Sequence, residues 1–180
     1  HSHDAAAKAV ALAAAREVDA LMKGSLHSDE LMGAVVKSDA GLRTERRISH
    51  AFLIDQESYS KAFIITDAAV NIAPDLATKV DIVQNAVDLW HALFGADVLP
   101  KVAVLAAVET VNPKMIATLD AAALCKMADR GQITGCLIDG PLAFDNAISV
   151  EAARTKGIVS AVAGNADILL VPNVEAGNML

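Results

Sequence analysis

The sequence predicts an α/β layer fold, and three observations predict it. Helix-like and strand-like stretches alternate along 180 residues. Hydrophobic residues make up 54% of the chain but aromatics only 3%, so Ala, Val, Leu and Ile must build the core, as in small-residue helices laid on a buried sheet. The strand-like stretches are short, unbroken apolar runs bounded by Gly, Pro, Asp or Asn, the pattern of strands covered on both faces. The length suffices for one such domain, or for one domain and part of a second.

Residues 4–17 read as an Ala-rich helix capped by Asp4, and His1 and His3 before it read as an appended or a disordered end. Residues 18–23 read as a short strand stopped at Gly24, and a loop then leads into a helix over 29–37 capped by Ser28. Strands come next at 48–54 and 62–66, with His50 in the first of them as a hydrogen-bonded core histidine. The clearest helix is 75–94. Leu76, Val80, Val83, Val87, Trp90 and Phe94 recur at steps of 3 or 4, giving one apolar stripe, with Asp75 as cap and Gly95 as stop. Strand 102–107 precedes a helix with Asn112 as cap, Pro113 at its first position and Gly131 at its end. Strand 135–139 runs into a Gly140-Pro141 turn, with Asp145 placed as a cap shortly after it. A helix near 149–156 is capped by Ser149 and stopped by Gly157, and strand 167–171 runs into Pro172. Met179 and Leu180 fall in what reads as the beginning of another helix, so the sequence is expected to be part of a longer chain.

The net charge is −7, the wrong sign for a nucleic-acid binder. Anions can still bind where a few cations and backbone N–H groups converge. No apolar run approaches the roughly 18 residues of a membrane span, and the first residues lack the basic-then-apolar order of a secretory leader. Cys125 and Cys136 lack metal or redox spacing and read as buried, reduced thiols of a cytoplasmic protein. GxSxG, HExxH, P-loop and GxGxxG motifs do not occur.

In open α/β sheets ligands bind beyond the carboxyl ends of strands. Four candidate loops lie at such ends. In the first, Lys23 to Glu30, Gly24 permits close backbone approach, and Ser28 opens a helix whose free N–H groups suit an anion. Lys23 and His27 add charge or donors; a plain strand-to-helix turn would use the same residues. The second, 66–75, carries Asp67 and Asn71, placed to orient a ligand or an arginine, or simply to bond loop backbone. The third, 138–146, has Asp139 at a strand end and Asp145 nearby. These are two carboxylates for acid/base or metal chemistry, or a turn and a cap. The fourth, 171–178, offers Glu175 and Asn178, with Glu175 equally suited to a helix first turn. Elsewhere, Arg43, Arg46 and Arg47 form a basic run that fits phosphate or solvent alike, and His91 reads as a surface or interface residue.

Five stretches taken in order resemble the phosphate acetyl/butyryltransferase family. They are LMKGSLHSDELMGAVV (21–36), ITDAAVNIAPDLATKVDIVQNAV (65–87), KVAVLAAVETVNPKMIATLDAA (101–122), GCLIDGPLAFDNAIS (135–149) and AGNADILLVPNVEAGNML (163–180). The nearest likeness is to phosphate butyryltransferases and to the transferase part of bifunctional enoyl-CoA hydratase/phosphate acetyltransferases. The resemblance implies a three-layer α/β sandwich of the isocitrate/isopropylmalate dehydrogenase type, in a two-domain, homodimeric, cytoplasmic subunit with a cleft between domains. Residues 1–47 would be the remainder of the first domain and 48–180 most of the second. The implied reaction exchanges a short acyl group, acetyl or butyryl, between coenzyme A and inorganic phosphate. Acyl-CoA, phosphate and acyl phosphate are the implied partners, with no metal or resident cofactor, no nucleic acid and no membrane.

The resemblance assigns the loop from Lys23 to Glu30 to the phosphoryl end of acyl phosphate, with Ser28 in contact and Gly24 and His27 as framework. Acetyltransferases of the family carry an arginine shortly after that serine. Here Leu31, Met32 and Gly33 stand in that region, so Arg47 or Lys23 is expected to meet the phosphate charge. Asp67, Asn71, Asp139, Glu175 and Asn178 are the remaining expected substrate contacts. The family's serine, its arginine or neighbouring polar group, and its base aspartate near the C-terminus are expected beyond Leu180, leaving residues 1–180 weak or inactive alone. Two other readings remain open on the residues. One is a metal- and NAD-dependent relative of the 4-hydroxythreonine-phosphate dehydrogenases, which resemble the Asp-Gly-Pro loop. The other is an inactive, dimerising, CoA-binding piece.

Overall fold

The computed structural model describes residues 2–180, so His1 lies outside the described residues. The chain forms two compact units, one ending at Arg46 and the other spanning Arg47–Leu180.

The first unit contains helix α1 (Ser2–Ala14), which already includes His3, and helix α2 (Ser28–Val35). Ala6, Val10 and Ala34 are buried at its centre, with Leu21, Leu26, Leu31 and Leu42 packed around them. The strand expected at 18–23 does not form. Its only strongly apolar side chains are Val18, Leu21 and Met22; Met22 is 97% exposed and Val18 is exposed too, while Leu21 packs in the helix pair. Among the described residues of this unit no strand lies beside it to receive its backbone, and the segment is irregular.

The second unit is built on a five-stranded sheet: β1 (Ala51–Ile54), β2 (Phe63–Thr66), β3 (Lys101–Leu105), β4 (Leu137–Leu142) and β5 (Ile168–Leu170). The strand order is β1-β2-β5-β3-β4. β2, β5, β3 and β4 pair in parallel, and β1 pairs antiparallel to β2. The unbroken apolar runs divide by alternation between two faces. Ile64, Val102, Val104, Ile168 and Leu170 point into one core cluster, and Phe63, Ile65, Ala103, Leu105 and Leu169 into another.

The first cluster lies under helices α3 (Leu76–Phe94) and α4 (Ile116–Asp129). Asp75 caps α3 by accepting from the Thr78 N–H, and Gly95 ends it with φ 100°, a value that favours glycine. The buried stripe is rotated from the expected one. Ile82, Val83, Ala86, Val87 and Trp90 are buried, whereas Phe94 is exposed and leans on Trp90 with ring centroids 4.3 Å apart. Lys79 of α3 is also buried and meets Asp120 of α4 at 2.6 Å, neutralising a charge that would be costly alone. The second cluster is covered by helix α5 (Phe144–Ile148) and by the segment after helix α6 (Val150–Thr155), through Ala147, Ile158, Val162 and Ala166. Helix α7 (Val174–Met179) closes the chain.

Several boundaries differ from expectation for local reasons. α4 starts at Ile116, because the Asn112 side chain accepts from Lys114 N–H and its own N–H donates to Thr118 Oγ1, which makes a turn ahead of the helix. Gly140-Pro141 is no turn. It lies inside β4 with a cis peptide bond, and β4 is an edge strand, where a missing proline N–H costs no ladder bond on the open side. α5, unforeseen, starts after Ala143; Asp145 sits inside it and accepts from the Asn146 N–H instead of capping. Ser149 does cap α6, accepting from Ala152 N–H.

Candidate functional site

The parallel strands bring their carboxyl ends to one edge of the sheet, where connecting segments collect. The β2–α3 connection is the most highly organised of them. Asp67 comes directly after β2 through a cis peptide and is 1% exposed. Its carboxylate accepts from the N–H groups of Ala69 at 3.0 Å, Val70 at 2.9 Å and Asn71 at 3.1 Å, and from Asn71 Nδ2 at 2.6 Å. Burial alone would raise its pKa, but these donors outweigh burial and hold the carboxyl below the usual range. Asn71 spends the same amide on Ile48 O at 3.1 Å. Asp67 and Asn71 are therefore the framework of the turn.

The α7 connection packs on that turn. Asn178 Nδ2 donates to Ala68 O, and Val174 N–H donates to Ile72 O at 3.1 Å. Gly177 makes the approach possible, since a Cβ there would lie 2.8 Å from Ala68 Cβ and Val171 Cγ2. Asn173 caps α7 by accepting from Ala176 N–H. Glu175 stands exposed in the first turn, as its dipole-favoured position suggested.

The chain entering β1 runs along the same edge, and side chains hold four successive residues of it. Arg47 N–H donates to Asp81 Oδ2 at 3.0 Å, and Arg47 O accepts from Asn85 Nδ2 at 2.8 Å. Ile48 O is held by Asn71, Ser49 Oγ accepts from Asn85 at 3.0 Å, and His50 O accepts from Thr66 Oγ1 at 2.7 Å. The Arg47 side chain is exposed and makes no hydrogen bond or ion pair among the described residues. Its charge reaches the α3 cap: Asp75 is held below the usual carboxylate range by Thr78 first, and then by Arg47 and Lys79. His50 precedes β1 instead of lying in it. Its ring meets Phe52 edge-on at 4.2 Å, and its buried Nδ1 has no hydrogen-bond partner. His91 lies on α3 with Nε2 2.8 Å from Gly135 O.

Asp139 is not at a strand end. It pairs in register with Ala103 inside β4 and accepts from the N–H of Gly140. It lines an open depression of about 400 Å³ with Asp129, Cys136 and Ser160, apart from the Asp67 turn. Burial first, then Asp139 and Asp129, push the Cys125 thiol up to about 12, and burial pushes Cys136 up to about 11. Neither is a ready nucleophile. Among the described residues no group of three or more His, Cys, Asp or Glu could hold a metal ion.

In the first unit, the loop before α2 has His27 at the N-cap position without a side-chain bond, and Ser28 is the first helical residue. Glu30 and Leu31 N–H groups donate to His27 O, which leaves Ser28 exposed at the helix start. Lys23 folds back, donating to Gly24 O and Leu26 O at 3.2 Å each. A Cβ at Gly24 would meet nothing within 4 Å, so this glycine is not required by crowding.

A family model described as phosphate acetyl/butaryl transferase matches residues 1–180. The chain belongs to this family. A phosphate acetyltransferase of Rickettsia felis is 66% identical over 180 residues, which are 100% of this chain and 51% of that protein. A phosphate butyryltransferase of Clostridium acetobutylicum is 48% identical over 176 residues, covering 98% of this chain and 58% of the relative. The chain thus spans about half the length of the curated relatives it matches. A branched-chain phosphotransacylase from Enterococcus faecalis superposes with a TM-score of 0.80 at 34% identity, over 97% of this chain and 61% of that one.

Of the residues expected from sequence, the structure gathers Arg47, Asp67, Asn71 and Asn178 at one sheet edge, with Glu175 in the helix packed there. It leaves Asp139 within β4. Sequence reasoning missed Asp81 and Asn85. They stand one turn apart on the predicted helix, but their partner Arg47 lies 34 and 38 residues away, beyond the reach of any local pattern.

Proposed function

We propose that this chain is part of a phosphate acyltransferase that moves a short acyl group between coenzyme A and inorganic phosphate. The observation that carries the reading is the family match along all 180 residues, supported by the dense organisation of the β2–α3 and α7 segments at one sheet edge. In the forward direction the thiolate sulfur of coenzyme A attacks the acyl carbonyl carbon of acyl phosphate. The carbonyl–oxygen bond to phosphate then breaks, giving acyl-CoA and inorganic phosphate. In the second unit, Arg47 supplies cationic charge to the exchanging phosphate in this reading. Arg47 is favoured over Lys23 because Lys23 is already engaged by two loop carbonyls, while the exposed Arg47 guanidinium makes no hydrogen bond or ion pair among the described residues. Asp67 and Asn71 serve by shaping the edge, and none of the described residues is assigned to deprotonating the thiol.

The reading includes no metal or resident cofactor, with coenzyme A entering as substrate. It also includes a two-domain, homodimeric, cytoplasmic subunit, in which residues 1–47 are the remainder of one domain and 48–180 most of the other. In the described residues both cysteines are free, and no helix is long and apolar enough to cross a membrane. The test is thiol release from acetyl-CoA and butyryl-CoA by the full-length protein. Release that depends on phosphate supports the proposal, and release equally fast without phosphate contradicts it.

A further inference from the structure

Arg47 is exposed, yet its own backbone is unusually well held. α3 presents Asp81 and Asn85 on adjacent turns of one face. Asp81 takes the N–H of Arg47, and Asn85 takes the C=O of Arg47 together with the Ser49 hydroxyl. A long, rotamer-rich side chain carries a large entropic cost when it closes on a ligand. Fixing its Cα, and hence the origin of the guanidinium, lowers the part of that cost borne on binding. A structural staple for an exposed loop needs no such grip on both sides of one residue. Water would satisfy the exposed N–H and C=O groups at little cost.

We infer that Asp81 and Asn85 are positioning residues for phosphate recognition, acting through Arg47. The inference rests on the phosphate-binding role proposed for Arg47 above. The ligand is the phosphate that exchanges with coenzyme A, not the phosphates of coenzyme A itself.

The test is a double-mutant cycle in the full-length protein, with KM measured separately for phosphate and for acyl-CoA. Arg47→Ala is expected to raise KM for phosphate about tenfold or more, the scale of one charge-assisted contact. Asn85→Ala and Asp81→Ala are each expected to raise it by about threefold to tenfold where Arg47 is retained, with KM for acyl-CoA unmoved. Asp81→Asn, which keeps an acceptor oxygen, recovers most of the Asp81→Ala loss. In the Arg47→Ala background, Asn85→Ala adds no further change, because coupled residues are non-additive. Equal Asn85→Ala effects in both backgrounds would overturn the positioning role while leaving Arg47 in place. A rise in KM for acyl-CoA instead would overturn the assignment to the exchanging phosphate. Inorganic phosphate binding by calorimetry on the same proteins gives the second readout. If turnover is absent, the acyltransferase reading fails. The positioning inference then stands only if Arg47→Ala and Asn85→Ala still weaken phosphate binding non-additively.

Discussion

Replacing Asp67 with alanine removes the acceptor around which the β2–α3 turn is organised. Four donors converge on this nearly fully buried carboxylate: three backbone N–H groups and the Asn71 amide. Ala69 and Val70 are exposed, so their N–H groups can turn to water. The two bonds from Asn71 are harder to replace, because the same amide also ties down Ile48 O. Bonds to a charged acceptor contribute about 1.5–3 kcal/mol each, so with solvent recovering the first two, the lower figure for both Asn71 bonds sets a net loss of at least about 3 kcal/mol. For a chain of this size that is a Tm decrease of about 6–12 °C. The loss has a pH signature. The folded-state pKa of Asp67 is depressed, so its stabilisation is complete above the unfolded aspartate value of about 3.9 and disappears as pH falls through the lower folded value. Thermal denaturation of wild type and Asp67→Ala from neutral to strongly acid pH measures the gap. Hydrogen exchange of the 69–71 amides, read by mass spectrometry, reports the local opening. A gap below about 2 °C at neutral pH, or one that stays constant into strong acid, would refute the argument that these donors stabilise the charged form.

Packing and burial give three more expectations. Gly177→Ala places a Cβ 2.8 Å from Ala68 Cβ and 2.9 Å from Ala68 Cα, where backbone cannot yield cheaply. It should cost about 1–3 kcal/mol in urea denaturation and speed exchange in α7. Lys79→Ala leaves Asp120 without its partner and should cost about 3–5 kcal/mol, whereas joint Lys79→Met and Asp120→Leu should recover most of it by the same measurement. With thiols pushed up to about 12 and about 11, Cys125 and Cys136 should alkylate at pH 8 far more slowly in the native protein than in urea, as mass spectrometry would show.

The α/β character was legible because it rests on local signals. Asp75, Gly95 and Ser149 announce the ends of their helices by chemistry that acts within a few residues. The apolar runs marked β2, β3 and β5 because burial on two faces leaves no room for polar alternation. Segment 18–23 failed for the opposite reason. Its residues suit a strand, but a strand needs a neighbour, and no local pattern reveals that the described residues of its unit supply none. Gly140-Pro141 misled because the pair is a turn signal everywhere except on an edge strand, and edge position belongs to topology. The site was readable as residue types but not as roles. Asp67 and Asn71 stand out in the sequence either as ligand contacts or as bonds to loop backbone; the structure shows the backbone bonds, whose partners a linear chain does not identify. The grip of Asp81 and Asn85 on Arg47 joins elements more than thirty residues apart and could be found only in three dimensions.

The most direct test of the acyltransferase reading is a product balance. The full-length protein is incubated with butyryl-CoA or acetyl-CoA and inorganic phosphate, free thiol is counted, and acyl phosphate is trapped with hydroxylamine as the hydroxamate. The account predicts one hydroxamate for each thiol released, with both falling to background when phosphate is withheld. Thiol released without matching hydroxamate would mean hydrolysis instead of transfer, and would contradict the account.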